Sequence, residues 1–190
     1  QAEDGIGVRL VTGVQTGALP IGIKPRVERG SPRLRFNWSS PIQLSPHNHH
    51  TVYFGSQYLH KSTNRGDKWT TISPDLTSAD EERIKGNVPH CTITTIAESP
   101  VVPGVIWVGT DNGNVQLTRD GGTTWLRLND NLPGSPVTKV SRVEASHHDS
   151  ATAYVSFNGG RRDRRDLKPY IFKTTDSGAT WTRIVSGLPA

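Results

Sequence analysis

Residues 118–125 read Thr-Arg-Asp-Gly-Gly-Thr-Thr-Trp, and this eight-residue segment has two counterparts in the chain. The pattern Ser/Thr-x-Asp-x-Gly-x-Thr-Trp recurs in full at residues 174–181. A third copy, at residues 62–69, has Asn64 in place of Asp and Lys68 in place of Thr. The three tryptophans that end these segments lie 56 residues apart. A fixed spacing of this kind marks an internal repeat, and we call the three segments the tryptophan turns.

A second landmark lies upstream of each tryptophan turn. In every repeat a serine stands eight residues before an aromatic residue, and the aromatic lies in a short run of apolar and β-branched residues, which is typical of a strand. Another short strand-like run follows each tryptophan, at residues 70–72, 126–128 and 182–184. The serine–aromatic pairs are Ser45 and Tyr53, Ser99 and Trp107, and Ser146 and Tyr154.

The residue types of the tryptophan turn have a physical explanation. The first Ser or Thr and the third-position Asp or Asn can accept hydrogen bonds from backbone N–H groups of the turn. The glycine at position five allows a positive φ, and the tryptophan folds back to bury its ring between neighbouring repeats. We therefore assign these positions a structural role. They are Ser62, Asn64, Gly66, Trp69, Thr118, Asp120, Gly122, Trp125, Thr174, Asp176, Gly178 and Trp181.

Each repeat then contains four short strands: one ending near the serine, one at the aromatic residue, and one on each side of the tryptophan turn. This arrangement predicts an all-β fold, a partial β-propeller of about three four-stranded antiparallel blades. The expected boundaries are blade 1 at 33–76, a linker with a short helix at 77–91, blade 2 at 92–133, and blade 3 at 134–190 with a basic insertion at 158–169.

The composition agrees with a turn-rich globular chain. Of 190 residues, 19 are Gly and 13 are Pro, which excludes a coiled coil, and the Gly residues lack the regular period of collagen. The single cysteine, Cys91, permits no internal disulfide and no four-thiolate metal site. The longest apolar run, residues 101–108, is too short to span a membrane, so we expect no membrane span.

The net charge of +5 is concentrated in two segments. Residues 1–35 and residues 158–169 each carry an excess of three positive charges, and the remainder is close to neutral. A protein that binds nucleic acid would spread its basic residues over one folded face, so we expect no nucleic-acid partner.

The beginning of the chain differs in character from the repeats. Residues 11–21 resemble the translation of a sequencing-adapter oligonucleotide, as found at the ends of assembled metagenomic genes, with Gly17 where the usual translation has Cys. We interpret residues 1–22 as a non-native leader. The chain has no Met, begins with Gln1 and ends shortly after a strand-like segment, so we interpret it as a fragment. Missing blades of the same protein, or a self-associated copy, are then expected to complete the propeller.

The tryptophan turn resembles the Asp box, or bacterial neuraminidase repeat (BNR). The segments 35–38, 74–76 and 94–100 also resemble bacterial exported proteins of the sortilin-like or BNR-repeat glycosyl hydrolase family, and the resemblance covers residues 33–190. It implies a periplasmic or extracellular location, although no targeting signal is visible. It also implies that the Asp boxes lie on the propeller face opposite the loops that usually bind ligands. Asp boxes occur in sialidases, xyloglucanases, sortilins and non-enzymatic assembly factors, so the activity stays open.

Two groups of residues are candidates for ligand binding. Arg142 and Glu144 lie on the predicted innermost strand of blade 3, where polar side chains face the central channel; an ion pair to a neighbouring blade is the alternative. The arginines of the insertion can bind carboxylates, sulfates or phosphates in a bidentate manner, and the alternative is a solvated loop. These arginines are Arg161, Arg162, Arg164 and Arg165.

Other polar clusters are given structural interpretations. The histidines of residues 47–50 and 147–148 are expected in solvated turns on the Asp-box side, and His90 with Cys91 as a packing pair, although metal binding stays an alternative. In the linker, Ser78 is expected to cap the helix, and the acidic residues at 75, 80 and 82 to favour its start rather than to hydrolyse a glycoside. We assign no catalytic residue, no metal ligand and no cofactor.

Two functions compete at this stage. The first is an interaction module of an exported bacterial protein that binds protein or polysaccharide through its loops. The second is a part of a sialidase-like or xyloglucanase-like glycosyl hydrolase that supplies blades without a complete active site. An intracellular scaffold is a third possibility that one cysteine permits.

Overall fold

The chain forms three four-stranded antiparallel sheets, which confirms the prediction of an all-β partial propeller. A computed structural model describes residues 22–26, 30, 32–86, 88–161 and 163–188. In each sheet the strands follow one another in chain order, so each blade is a simple meander. The first strands of successive blades contact each other, which places them innermost around the channel.

The strands lie where the repeat predicts them. Blade 1 comprises β1 (Ile42–Leu44), β2 (Val52–Gly55), β3 (Leu59–Ser62) and β4 (Thr70–Thr71). Blade 2 comprises β5 (Ile93–Glu98), β6 (Ile106–Thr110), β7 (Val115–Thr118) and β8 (Leu126–Arg127). Blade 3 comprises β9 (Val140–Ala145), β10 (Ala153–Phe157), β11 (Tyr170–Thr174) and β12 (Thr182–Arg183). One short helix, α1 (Glu81–Ile84), and 3-10 turns at Asn129–Asn131 and Gly159–Arg161 complete the described elements.

The core lies between the blades rather than within them. Each blade packs against the next blade in the chain through a surface that we call its outgoing face. This face comprises the landmark aromatic residue, one residue of the third strand and the residue three positions after the tryptophan. The surface of the next blade that contacts this outgoing face is called its incoming face. It comprises side chains of the first and second strands together with the tryptophan of the turn. Between blades 1 and 2 the outgoing residues are Tyr53, Leu59 and Ile72 and the incoming ones are Ile96, Ile106, Val108 and Trp125. Between blades 2 and 3 they are Trp107, Val115 and Leu128 against Val143, Ala153, Val155 and Trp181.

The tryptophan turns are held by side-chain-to-backbone hydrogen bonds. In the second turn the buried Thr118 hydroxyl accepts from Gly122 N–H at 2.9 Å and donates to Asp120 Oδ1 at 2.8 Å. The Asp120 carboxylate also accepts from the backbone N–H and the hydroxyl of Thr124, and these bonds hold the pKa of Asp120 far below its usual range. Gly122 has a φ of 106°, and a Cβ there would lie 2.9 Å from Ile72 Cβ of the preceding blade. The turn therefore fixes its own shape and fits against the neighbouring blade.

The first turn keeps this arrangement with its substituted residue. Asn64 Oδ1 accepts from the Ser62 hydroxyl at 2.9 Å and from Lys68 N–H at 2.9 Å, the bonds that aspartate makes in the other turns. The amide oxygen thus replaces a carboxylate oxygen without loss of the turn.

The linker is anchored differently from the expectation. Asp80, and not Ser78, caps α1, because its carboxylate accepts from the backbone N–H groups of Glu82 and Arg83 at 3.1 and 3.2 Å. The hydroxyl of Ser78 instead accepts a hydrogen bond from the Asn112 amide of blade 2. Both residues can cap a helix, and the helix begins two residues later than the sequence pattern indicated.

We expect the Thr118 hydroxyl to matter more than its methyl group. Replacing Thr118 with Val should lower the free energy of unfolding by about 1–3 kcal/mol, because the Gly122 N–H loses its acceptor. Replacing it with Ser, the residue that the first turn uses, should cost about 1 kcal/mol or less, since only a buried methyl is lost. Urea denaturation of both variants measures the difference, and equal stabilities would contradict a role for the hydroxyl.

A buried histidine lies in blade 1. His60 Nε2 is 2.8 Å from the Ser56 hydroxyl, and His60 Nδ1 is 3.1 Å from the Thr71 hydroxyl. Burial lowers its pKa from 6.5 to about 4, because the charged imidazolium is poorly solvated there.

This histidine should give the stability a measurable pH dependence. Between pH 6.5 and 4 the unfolded chain binds a proton at His60 that the folded chain does not, so stability falls as the pH falls through this window. We expect a loss on the order of 2 kcal/mol. The His60→Gln variant should lose this slope, whereas the control His148→Gln, on an exposed turn, should keep it. Urea titrations from pH 7 to pH 4 test this, and a His60→Gln profile parallel to wild type would contradict it.

Candidate functional site

The two ends of the blades carry different groups. At one end, the turn end, lie the tryptophan turns and the connections between first and second strands. At the other end, the loop end, lie the connections from second to third strands and from each fourth strand to the next blade. The insertion follows β10 and precedes β11, so it belongs to the loop end of blade 3.

The insertion is folded by its own acidic residues. Asp166 Oδ2 accepts a hydrogen bond from the Tyr170 hydroxyl at 2.8 Å, which raises the pKa of that tyrosine. Asp163 Oδ1 accepts from Arg165 N–H at 3.0 Å. A Cβ on Gly159 would lie 2.8 Å from Asp166 Oδ2 and from the Tyr170 ring, so the loop packs closely against itself at this glycine. A shallow cavity of about 260 Å³ lies under this loop and is lined in part by Phe157 and Leu167.

The cations of the insertion point outwards. Arg164, Arg165 and Lys168 are exposed, and none of them takes part in an ion pair within the part of the chain that the structure describes. Arg161 ends the 3-10 turn, and Arg162 lies outside the described residues. The segment 158–169 contains five basic residues and two aspartates, so it carries a net positive charge, and Arg164, Arg165 and Lys168 expose that charge to solvent.

Arg142 and Glu144 form an ion pair with each other. Arg142 Nη2 and Glu144 Oε2 are 2.8 Å apart on β9, and the two side chains are 70% and 46% exposed. The alternative of an ion pair to a neighbouring blade is therefore wrong, because side chains two residues apart on one strand share a face and meet first. His147 lies near the same carboxylate, with its Nε2 3.9 Å from Glu144 Oε1.

The structure separates the Arg142–Glu144 pair from those insertion residues that it describes. Arg142 and Glu144 line a cavity of about 240 Å³ between the innermost strands of the three blades, with Glu98 and Gln43 in its wall. The insertion lines a separate cavity at the loop end of blade 3. Two distinct surfaces therefore carry the candidates.

The three acidic residues considered in the linker are engaged in local contacts. Asp75 forms an ion pair with Arg35 at 2.6 Å and accepts from Thr77 N–H at 2.9 Å. Asp80 caps α1, and Glu82 pairs with Lys85 at 3.0 Å. We find no two of these three that remain free to act as acid and base.

The histidine turns lie at the turn end, and some of their rings have protein partners. His47 Nε2 is 2.8 Å from the Ser99 carbonyl oxygen, which ties blade 1 to blade 2. His50 Nε2 is 3.0 Å from Arg65 Nη2, and the neighbouring His49 lowers the pKa of His50. Within the described ranges, no group of three His, Cys, Asp or Glu side chains has a geometry that could hold a metal ion. Burial raises the pKa of the Cys91 thiol.

Two polar contacts, one half-buried and one buried, have no local signal in the sequence. Arg35 joins three segments: its side chain bonds Asp75 and the Cys91 carbonyl oxygen, and its backbone N–H bonds Gln57 Oε1 at 2.7 Å. The Tyr53 hydroxyl donates to Glu98 Oε1 at 3.0 Å across the interface of blades 1 and 2, and burial with this carboxylate raises the pKa of Tyr53. Neither pair is close in sequence, so no local pattern indicated them. No described helix is long and apolar enough to cross a membrane.

The comparisons with known proteins support the fold. No family model and no curated protein sequence matches the chain. Among solved structures, it is similar to the GH74 xyloglucanase from Xanthomonas campestris, with a TM-score of 0.54, 16% identity, and coverage of 81% of this chain and 22% of that one. It is also similar to the Niastella koreensis GH74 enzyme, with a TM-score of 0.54 and 18% identity. That match covers 77% of this chain and 22% of the enzyme. A third similar structure is that of YCF48 bound to D1 peptide, with a TM-score of 0.50 and 15% identity. That match covers 78% of this chain and 41% of YCF48.

At these identities the likeness establishes the β-propeller fold alone. The chain spans about a fifth of the length of the two GH74 enzymes and about two fifths of YCF48.

Two arginine ion pairs should differ sharply in their contribution to stability. Arg35→Gln should lower the free energy of unfolding by about 2 kcal/mol, because Asp75 and the Cys91 carbonyl lose a half-buried partner. Arg142→Gln should change it by less than about 1 kcal/mol, since its pair with Glu144 is exposed. Urea denaturation of the two variants side by side gives the comparison. A larger loss in Arg142→Gln would mean that the channel pair is structural.

Proposed function

We propose that this chain is an Asp-box (BNR) β-propeller module of an exported bacterial protein, which binds an anionic protein or polysaccharide through its loop end. The observation that carries the proposal is the insertion of blade 3, whose aspartates are used in folding the loop while Arg164, Arg165 and Lys168 extend into solvent. Guanidinium groups bind carboxylates, sulfates and phosphates through paired hydrogen bonds, which fits an anionic ligand.

The tryptophan turns support the Asp-box assignment. Their hydrogen-bond pattern recurs in all three blades, with Ser62, Thr118 and Thr174 each accepting from the glycine N–H four residues later at 2.8–2.9 Å. The turns form the end of the module opposite the insertion, which leaves the loop end free for a ligand. Membership of the sortilin-like or BNR-repeat family, and with it the exported location, belongs to this proposal.

A binding role is favoured over catalysis by the state of the carboxylates. A retaining or inverting glycosidase needs two carboxyl groups facing one sugar across about 5–10 Å. Asp75, Asp80 and Glu82 are engaged with Arg35, the α1 N-terminus and Lys85 respectively. The YCF48 structure holds a peptide, which gives a precedent for peptide binding by a protein of this fold.

Part of a glycosyl hydrolase is the second candidate. The observation in its favour is the similarity of the fold to GH74 enzymes, one of them a xyloglucanase. In that case the acid and base would come from segments other than the linker, and this chain would supply the scaffold.

The experiment compares two double variants of equal charge. R164S/R165S removes two exposed arginines from the insertion, and R119S/R127S removes two exposed arginines from blade 2. We expect R164S/R165S to elute from heparin and from a poly-glutamate column at a clearly lower salt concentration than R119S/R127S, because only the first pair belongs to the binding loop. Loss of retention on only one of the two resins identifies the ligand class.

The control makes the outcome specific. If both variants shift equally, retention follows net charge and the insertion is not a binding site. If neither variant is retained less than wild type, the proposal fails as well. Circular dichroism melts of both variants confirm that the blades remain folded.

A further inference from the structure

The two internal blade interfaces define how blades of this repeat pack. In both, an aromatic ring of the outgoing face is fully covered by the next blade: Tyr53 is 1% exposed and Trp107 is 0% exposed. The Trp107 ring packs edge-on against Trp181 of blade 3, with centroids 6.1 Å apart. Burying such a ring contributes strongly to stability, so a blade of this kind requires a neighbour on its outgoing side.

Blade 3 presents the same outgoing face without a described neighbour. Tyr154, Ile171 and Ile184 occupy the positions that Tyr53, Leu59 and Ile72 occupy in blade 1. Tyr154 is 36% exposed and Ile184 is 38% exposed. Lys173 lies over the Tyr154 ring at 5.7 Å, as Lys61 lies over the Tyr53 ring at 6.0 Å. The outgoing face of blade 3 is therefore preserved in residue type but largely uncovered.

Blade 1 presents the matching incoming face. Ile42, which is 49% exposed, occupies the position of Ile96, which is 7% exposed against blade 1. A mostly apolar cavity of about 720 Å³ lies here and is lined by Ile23, Ile42, Leu44, Val52 and their neighbours.

The position beside Gly66 on this incoming face is occupied by Ile23, in the same way that Ile72 and Leu128 occupy the equivalent positions in the internal interfaces. A Cβ on Gly66 would lie 2.9 Å from Ile23 Cβ. The equivalent glycines, Gly122 and Gly178, are in the same relation to Ile72 and Leu128 of the preceding blade. Ile23 therefore takes the place of an outgoing residue, and the sequence Ile23-Lys24-Pro25 parallels Ile72-Ser73-Pro74. Among the residues that the structure describes, none fills the position that the aromatic ring occupies in the internal interfaces, and the cavity lies there.

We propose that the outgoing face of blade 3 docks into the incoming face of blade 1 of a second copy of this chain. Tyr154 enters the cavity, as Tyr53 and Trp107 pack against the blades that follow them. The interface is head-to-tail, because two different faces meet, and such interfaces generate closed rings when the rotation closes. Two copies contribute six blades, which lies within the range of four to eight found in propellers.

A second copy is the occupant that the observations favour. Both faces belong to this chain, and each carries the residue types that the internal interfaces already join. A protein of different chemistry would have to imitate both. The inference does not depend on the anion-binding proposal, since the insertion lies at the loop end and takes no part in either face.

The test uses the full 190-residue chain in sedimentation and size-exclusion light scattering over a range of concentrations. Wild type should show a dimer of twice the 20.8 kDa chain mass. Ile42→Lys damages the incoming face and Tyr154→Ser the outgoing face, and each should weaken the dimer by about tenfold or more, since about 1.4 kcal/mol of lost contact already changes an affinity tenfold. Leu126→Lys is the matched control, because Leu126 is also a strand residue with 49% exposure but lies on neither face.

Mixing the two damaging variants gives the decisive result. The I42K chain keeps an intact outgoing face and the Y154S chain keeps an intact incoming face, so an equimolar mixture should recover a dimer with one sound interface. An interface between two like faces would give no such recovery. A wild type that stays monomeric at all concentrations overturns the proposal, and so does a Leu126→Lys variant that dissociates as readily as Ile42→Lys. Melting curves of each variant show that the individual chains are folded.

Discussion

The burial of one aromatic ring between adjacent blades is the interaction on which the rest of this structure depends. A four-stranded blade of this length has strands of two to six residues and little interior of its own. Its apolar side chains become a core only when the next blade covers them, as blade 2 covers Tyr53 and blade 3 covers Trp107. In repeat architectures each unit buries its surface against its neighbours, so stability is set at the interfaces. Here the interfaces also explain the glycines at 66, 122 and 178, which leave room for an apolar side chain of the preceding unit.

The tryptophan turn connects local chemistry to that interface. Its hydroxyl, carboxylate and glycine are joined by hydrogen bonds within eight residues, and the same hydroxyl-to-glycine bond recurs in all three turns. This fixed shape carries Trp125 and Trp181 onto the preceding blade. The first turn shows which part is essential, because Asn64 supplies the accepting oxygen without a negative charge. The geometry of the acceptor, rather than its charge, is what this turn requires.

The sequence predicted those features that are local or repeated. The turns, the serine–aromatic spacing and the strand order could be read because each is encoded within about ten residues and occurs three times. Contacts between distant segments could not be read in this way. Arg35 meets Asp75 and the Cys91 carbonyl only because blade 1 and the linker fold together, and Glu98 meets Tyr53 only across a blade interface. The capping residue was misjudged for a related reason: Ser78 and Asp80 are both suited to the role, and the tertiary contact of Ser78 with Asn112 settles which one is free.

The candidate sites can be sorted by whether their residues recur in every blade or occur in one blade only. Residues that recur in all three blades are used for packing or for turns, so function is to be sought in what only one blade has. The insertion between β10 and β11 is such an addition, and its aspartates satisfy its backbone and Tyr170 while its cations reach solvent. The Arg142–Glu144 pair is another, but there the two charges satisfy each other. The unbalanced charge of this loop, compared with the mutually paired charges of Arg142 and Glu144, is the reason why we propose the insertion rather than the channel as the binding surface.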